Sequence, residues 1–257
     1  MTTPIVVSTA GDRDKVTPLH EIGGKGIFVK EVQAAVLDGR ADIAVHSAKD
    51  LPAVTPDGLV ICAVPERADP RDVLAGCALV DLPVRARVGT GSVRRQVQLR
   101  AVRPDVDLIE IRGNIDTRLA LVGELDAIVM AGAALDRLSL SPGIVDRLPT
   151  ETMLPQVGQG SLAIECRADD ADTIAALATI DHAESHRRLD AERGFLIELG
   201  GDCDLPAGAF AEVTKDMVAV RAMLAGDDGM PVYLAGKGTD GPLVGRQLAA
   251  DLRSRVT

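Results

Sequence analysis

Short apolar runs alternate with stretches of helical spacing along most of the chain up to residue 180, and that alternation leaves few folds open. Residues 5–7 (IVV) read as a strand. After the GGKG turn at 23–26, Phe28, Val29, Val32 and Val36 recur at helical spacing and Gly39 stops the helix. Residues 42–45 (DIAV) are a buried strand with HSAKDLP at its end. A second set follows: strands at 87–90, 108–111 and 126–130, with GTGS opening one helix and RGN leading into another that ends near Gly123. Repeated strand–helix units predict α/β domains with parallel sheets.

Two segments interrupt the pattern. VPERADPRD (64–72) and LPTETMLPQVGQG (148–160) are rich in proline, charge or glycine and read as crossings between domains. SLAIEC is then a strand, followed by helical stretches at about 169–180 and 183–199. Beyond Pro206, GAFAEV, MVAVRAML and PVYLAG read as short antiparallel strands, and a final helix carries Leu243, Val244, Leu248 and Leu252. The fold expected is α/β: two doubly wound domains, 1–68 with 161–181 and 73–155, and a small α+β domain, 183–257.

Composition narrows the function. Of 257 residues only 2% are aromatic, so Val, Leu, Ile and Ala must build the core, and a stacking-based nucleic-acid reader is excluded. No run of about 20 apolar residues exists to cross a membrane. The formal charge is −10, yet the stretch from Arg85 to Arg118 holds 8 Arg against 4 Asp and Glu. Such a patch is either a small-anion site or a solvated face. The four cysteines, Cys62, Cys77, Cys166 and Cys203, form neither a disulfide framework nor a zinc spacing, so no metal is expected. The first residues have no signal-peptide pattern, which points to the cytoplasm.

Three segments carry candidate chemistry. In HSAKDLP, Asp50 sits beside Lys49 at a strand end, where open α/β sheets place ligands. The carboxylate can stabilise a cation and the ammonium can hold an anion; an ordinary surface pair is the competing reading. His46, beside Asp50, has a catalytic and a structural reading, and strand-end histidines are more often structural. In GTGSVRRQ, free backbone N–H groups at a helix start, with Arg94 and Arg95, suit carboxylates or phosphates. RGNIDTRL repeats the idea with Arg112 and Arg118. Cys203, in GGDCDLP, lies in a glycine-rich loop where a thiol can be exposed and reactive. Cys62, Cys77 and Cys166 have apolar surroundings and fit the part of small buried hydrophobes.

Taken together, GGKGIFVKE, DIAVHSAKDLP, VGTGSVRRQ, IRGNIDTRL, LPQVGQGSLAIECR and GGDCDLPAGAFAE, in that order, resemble the porphobilinogen deaminase (hydroxymethylbilane synthase) family. The resemblance implies two periplasmic-binding-protein-like α/β domains around a cleft and a third domain bearing a cysteine. It implies a transferase that joins four porphobilinogen molecules head to tail, with loss of ammonia, into hydroxymethylbilane for haem biosynthesis. By motif, Cys203 is implied to hold a dipyrromethane cofactor through a thioether, and Asp50 to be catalytic. Lys49, Ser47, Arg94, Arg95 and Arg118 are implied to bind the cofactor, Arg112 and Arg137 the substrate, while Lys25 and Phe28 match a mobile loop over the cleft. The expected partner is porphobilinogen alone, with no nucleic acid and no membrane, and a monomer. The family pattern also implies an earlier strand and helix with an Arg-x-Ser-x-Leu-Ala motif. The residues before Ile5 do not carry it, so a first domain shortened by on the order of 35 residues, with low stability and activity, is expected. A non-catalytic anion-binding module and an inactive shortened relative are the alternatives.

Overall fold

The computed structural model describes residues 2–7, 29–200 and 205–256 and contains three sheets. The first begins with helix α1 (Lys30–Leu37), which ends where Gly39 takes φ +71°, a conformation that suits glycine. Strand β1 (Ile43–Ser47) follows, and its end turns into a short 3₁₀ segment, Ala48–Asp50. Together with β2 (Leu59–Ala63) and β8 (Leu162–Arg167) it forms a three-stranded sheet in the order β1-β8-β2. Both neighbours run antiparallel to β8, so the expected parallel arrangement does not hold here. The reason is connectivity: β8 returns to this sheet from a long excursion. The expected strand at 5–7 takes no strand hydrogen bonds, and Ile5 and Val6 are exposed.

The excursion builds a five-stranded sheet from β3 (Asp72–Ala75), β4 (Arg87–Gly89), β5 (Asp107–Ile109), β6 (Ala127–Ala131) and β7 (Val145–Arg147), in the order β5-β4-β6-β3-β7. Strand β4 is parallel to β5 and β6, whereas β3 is antiparallel to β6 and β7. Helices α2 (Val93–Val102), α3 (Ile115–Leu119) and α4 (Gly132–Leu138) interleave with these strands. Every residue of β3 and β6 is buried, because both faces are covered. Leu74, Val88, Leu99 and Val129 pack on one side, and Val73, Ile128, Met130 and Leu135 on the other. Asn114 caps α3 by accepting the Thr117 amide at 2.8 Å.

After helix α5 (Ala171–Leu177) comes the long α6 (Ala183–Leu199), and then an antiparallel meander of β9 (Ala207–Thr214), β10 (Met217–Ala225) and β11 (Pro231–Gly238), covered by α7 (Gly241–Val256). The two helices approach closely through glycine. A Cβ on Gly245 would collide with Ala191 O, and one on Gly194 with Pro242 O. Phe195, Val220, Leu248 and Leu252 fill the space between helices and sheet. A buried ion pair ties the parts together. Arg67 Nη1 lies 2.6 Å from Glu192 Oε1 of α6, and Glu192 also accepts the amides of Gly158 (2.8 Å) and Ala211 (2.9 Å). The chain thus has the mixed α/β fold expected, with a C-terminal α+β part. No described helix is long and apolar enough to cross a membrane.

Candidate functional site

Two strand ends meet at one cavity. From the first sheet come Ala48, Lys49 and Leu51, just past β1; from the second come Ser92 and Arg94, at the start of α2. Gln156 and Val157 of the crossing segment form another wall. The remaining side is Arg193, Leu196, Leu205 and Ala207, from α6 and the approach to β9. In sequence, Leu196 and Leu205 precede and follow segment 201–204, which contains Cys203. Cys203 itself, and Lys25 and Phe28, lie outside the described residues.

The cavity is basic because two adjacent arginines are held on a carboxylate that sequence reasoning did not single out. Asp72, at the start of β3, is fully buried; Arg94 Nη1 lies 2.8 Å from its Oδ2, and Arg95 Nη2 2.8 Å from its Oδ1. Burial works to raise the Asp72 carboxyl, but Arg94, Arg95 and the hydrogen bond from Gln159 outweigh it and hold it below the usual range. One carboxylate cannot neutralise two guanidiniums, so the triad keeps net positive charge toward the cavity. Arg94 also donates to Leu154 O at 2.6 Å, while its Nε and Nη2 are buried without a hydrogen-bond partner. Buried donors of this kind are costly unless an acceptor meets them. A carboxylate suits them, so the residues present fit a cofactor carrying acid side chains. Nothing local marks Asp72, because the arginines it holds come from a different element and DPRD by itself reads as polar linker.

Lys49 is half-buried, and desolvation lowers its ammonium pKa; Arg95 and Arg94 act in the same direction, against Asp50 and Asp72. Asp50 reaches solvent, yet protein surrounds it closely enough that desolvation raises its carboxyl, opposed by Lys49 and then His46. Arg118 is lowered by burial and by Arg95, and donates to Gly113 O at 2.8 Å. The structure therefore brings Lys49, Asp50, Arg94, Arg95 and Arg118 into one electrostatic neighbourhood. Ser47 ends β1 beside them. Arg112 is exposed and bound to Glu110 at 2.6 Å, and Arg137 is exposed and donates to Gly160 O at 2.8 Å. Arg193, which the sequence did not mark, donates to Pro52 O and Ala53 O and pins the chain just after Asp50. No group of three potential metal ligands occurs among the described residues.

Arg94→Lys is expected to weaken cofactor and substrate binding by roughly 10-fold or more, since an ammonium has only three donors and cannot hold both Asp72 and Leu154 O and still present two more. Arg112→Lys should cost less, because Arg112 must first leave Glu110. Cofactor occupancy by mass and KM for porphobilinogen read the difference; equal effects would contradict this ranking.

A basic cavity at the strand ends of two α/β sheets, walled on a third side by a separate α+β unit, defines a protein that holds small polyanions in a cleft. Sequence comparison specifies which. Residues 2–175 match the family described as "Porphobilinogen deaminase, dipyromethane cofactor binding domain", and residues 187–254 match its C-terminal domain. Relatives named porphobilinogen deaminase include one from Syntrophus aciditrophicus, 49% identical over 86% of this chain and 74% of that protein. Another, from Brevibacillus brevis, is 46% identical over 96% and 82%, and a third, from a Roseiflexus species, 45% over 93% and 80%. The chain belongs to the porphobilinogen deaminase family, which assembles porphobilinogen into hydroxymethylbilane, and it contains that family's dipyrromethane cofactor-binding domain. An ancestral cationic amino acid solute binding protein matches at 16% identity over 59% of this chain and 66% of its own, with a TM-score of 0.37, too loose a superposition to add to the argument.

Proposed function

We propose that this chain joins four porphobilinogen molecules head to tail, releasing ammonia, to give hydroxymethylbilane, with its residues dividing the work by position. The carrying observation is the cavity itself: Arg94, whose Nε and Nη2 are buried without a hydrogen-bond partner, lines it together with Leu196 and Leu205, residues on either side in sequence of the segment bearing Cys203. Dipyrromethane, when bound through a thioether to Cys203, supplies the pyrrole primer that is extended. Lys49, Ser47, Arg94, Arg95 and Arg118 bind its acid side chains, while Arg112 and Arg137 receive those of the incoming substrate. Lys25 and Phe28 cover the cleft. Asp50 stabilises the cation left when the substrate loses ammonia, for which a carboxylate partly withdrawn from water is effective. The functional units run 1–68 with 161–181, 73–155 and 183–257. The protein acts as a cytoplasmic monomer on a small molecule, without nucleic acid or membrane.

The test is conversion of porphobilinogen to hydroxymethylbilane by the purified chain and by Asp50→Ala. Removing the carboxylate should lower turnover by about 10² or more while covalent cofactor remains, the scale seen when one electrostatic stabiliser is lost. A rate near that of the parent chain would remove Asp50 from the reaction.

A further inference from the structure

Beneath the turn that carries Asp50 lies a buried ionisable pair that the chemistry above leaves unused. His46 points inward from β1, and its Nε2 lies 3.0 Å from Glu165 Oε2 on β8; the two side chains are 5% and 1% exposed. Gln33 of α1 donates to both Glu165 oxygens, at 2.9 and 3.2 Å. The contact is a close approach of charges, since His46 Nε2 makes no hydrogen bond of good geometry. A carboxylate at the centre of a sheet is unfavourable unless a cation or a shared proton accompanies it. The register makes the arrangement specific: Glu165 stands opposite Ala44 and His46 opposite Ala163, so the pair lies diagonally across one face.

We propose that Glu165 is a positioning residue for Asp50, acting through His46. Glu165 holds positive charge on His46 inside the sheet, and the pair fixes the end of β1 where the chain turns into Ala48–Asp50 and sets that charge near the Asp50 carboxylate. Gln33 extends the same link to α1, the helix that follows the segment holding Lys25 and Phe28. This rests on the reading of Asp50 as the carboxylate of the reaction. The groups that face Asp50 are Lys49, beside it, and His46, from β1; both favour its ionised form against the effect of burial. Facing His46 are Asp50 and Glu165. Behind Glu165 stand Gln33 from α1 and Arg193 from α6, with Asp190 acting on Arg193 in turn.

The sign follows. An imidazolium near a carboxyl lowers its pKa, so neutralising Glu165 releases the proton from His46 and lets the Asp50 pKa rise. In Glu165→Gln the acid limb of the kcat–pH profile should move to higher pH by about half a unit or more, with KM changed less than about twofold. His46→Gln should move it similarly, and the double variant no farther than either single change, because both act through one interaction. An unmoved limb, or a uniform loss at every pH, overturns the positioning role. Should Glu165→Gln not fold, imidazole ¹⁵N NMR of the intact parent chain decides: both His46 nitrogens protonated at pH 7 agrees, and a neutral ring overturns. Asp50→Ala in the same buffers separates the two layers. If it keeps its turnover, the Asp50 reading fails and this proposal with it; if it loses turnover while Glu165→Gln keeps the parent limb, only the positioning role fails.

Discussion

Asp72→Ala is expected to destabilise the protein more than any other single change in the cleft, by roughly 3–5 kcal/mol, the range for removing one partner from a buried ion pair. The cause is arithmetic of charge. Arg94 and Arg95 are 2% and 6% exposed, and without Asp72 both would be buried cations with only carbonyl and amide oxygens for company. Strand β3 also loses its anchor, because Asp72 accepts from Gln159 as well, at 3.0 Å, and Gln159 in turn donates to Pro70 O at 2.6 Å. For a chain of this size the loss corresponds to a fall in Tm on the order of 10 °C. Thermal unfolding of Asp72→Ala beside the parent chain reads it, and a loss below about 1 kcal/mol would place the triad among weak surface pairs instead. Asp72→Asn, which keeps one acceptor oxygen, should fall between the two.

Cys203→Ser should abolish covalent cofactor and, with it, turnover, while leaving Tm close to that of the parent chain freed of cofactor. A serine hydroxyl is a far poorer nucleophile than a thiolate at neutral pH, so no bond to the primer forms. Stability should hold because the C-terminal core is built elsewhere. Phe195, Ala209, Val220 and Leu252 are buried between α6, the meander and α7, and Gly200, at φ +61°, closes α6 before the segment begins. Cys62 and Cys166 are poor substitutes. Cys166 is fully buried, and the Cys62 thiol is pushed up to about 12 by burial and by Cys166, which leaves almost no thiolate at neutral pH. Turnover retained in Cys203→Ser would contradict the assignment.

Much of this layout was legible where local signals are strong. GTGS followed by Val93 and Val97 placed α2, Gly39 placed the end of α1, and the meander beyond Pro206 appeared with its strands in order. Strand direction was not legible, because β8 pairs antiparallel with β1 only by virtue of its return from the second sheet. Neither was Asp72. Its meaning comes from Arg94 and Arg95, more than twenty residues away, and DPRD reads locally as polar linker. At Arg112 the local partner was not foreseen: Glu110, two positions earlier, pairs with it at the surface. His46 was read as structural rather than catalytic from its place at a strand end. The structure does bury it, but against a carboxylate that sequence spacing could not have brought near. Asp50, Lys49, Arg94 and Arg95 lie near one another as their segments suggested, because those segments are short and strand or helix ends fix where such side chains go.

The central claim is that this chain carries its cofactor on Cys203 and extends it from porphobilinogen. Mass spectrometry of the purified full chain, intact and then as peptides, tests that most directly. The account predicts added mass corresponding to one dipyrromethane, located on the peptide containing Cys203, and further steps of one pyrrole unit each when porphobilinogen is supplied. Added mass on the peptide of Cys62, Cys77 or Cys166, or a chain that stays unmodified after incubation with porphobilinogen, would contradict it.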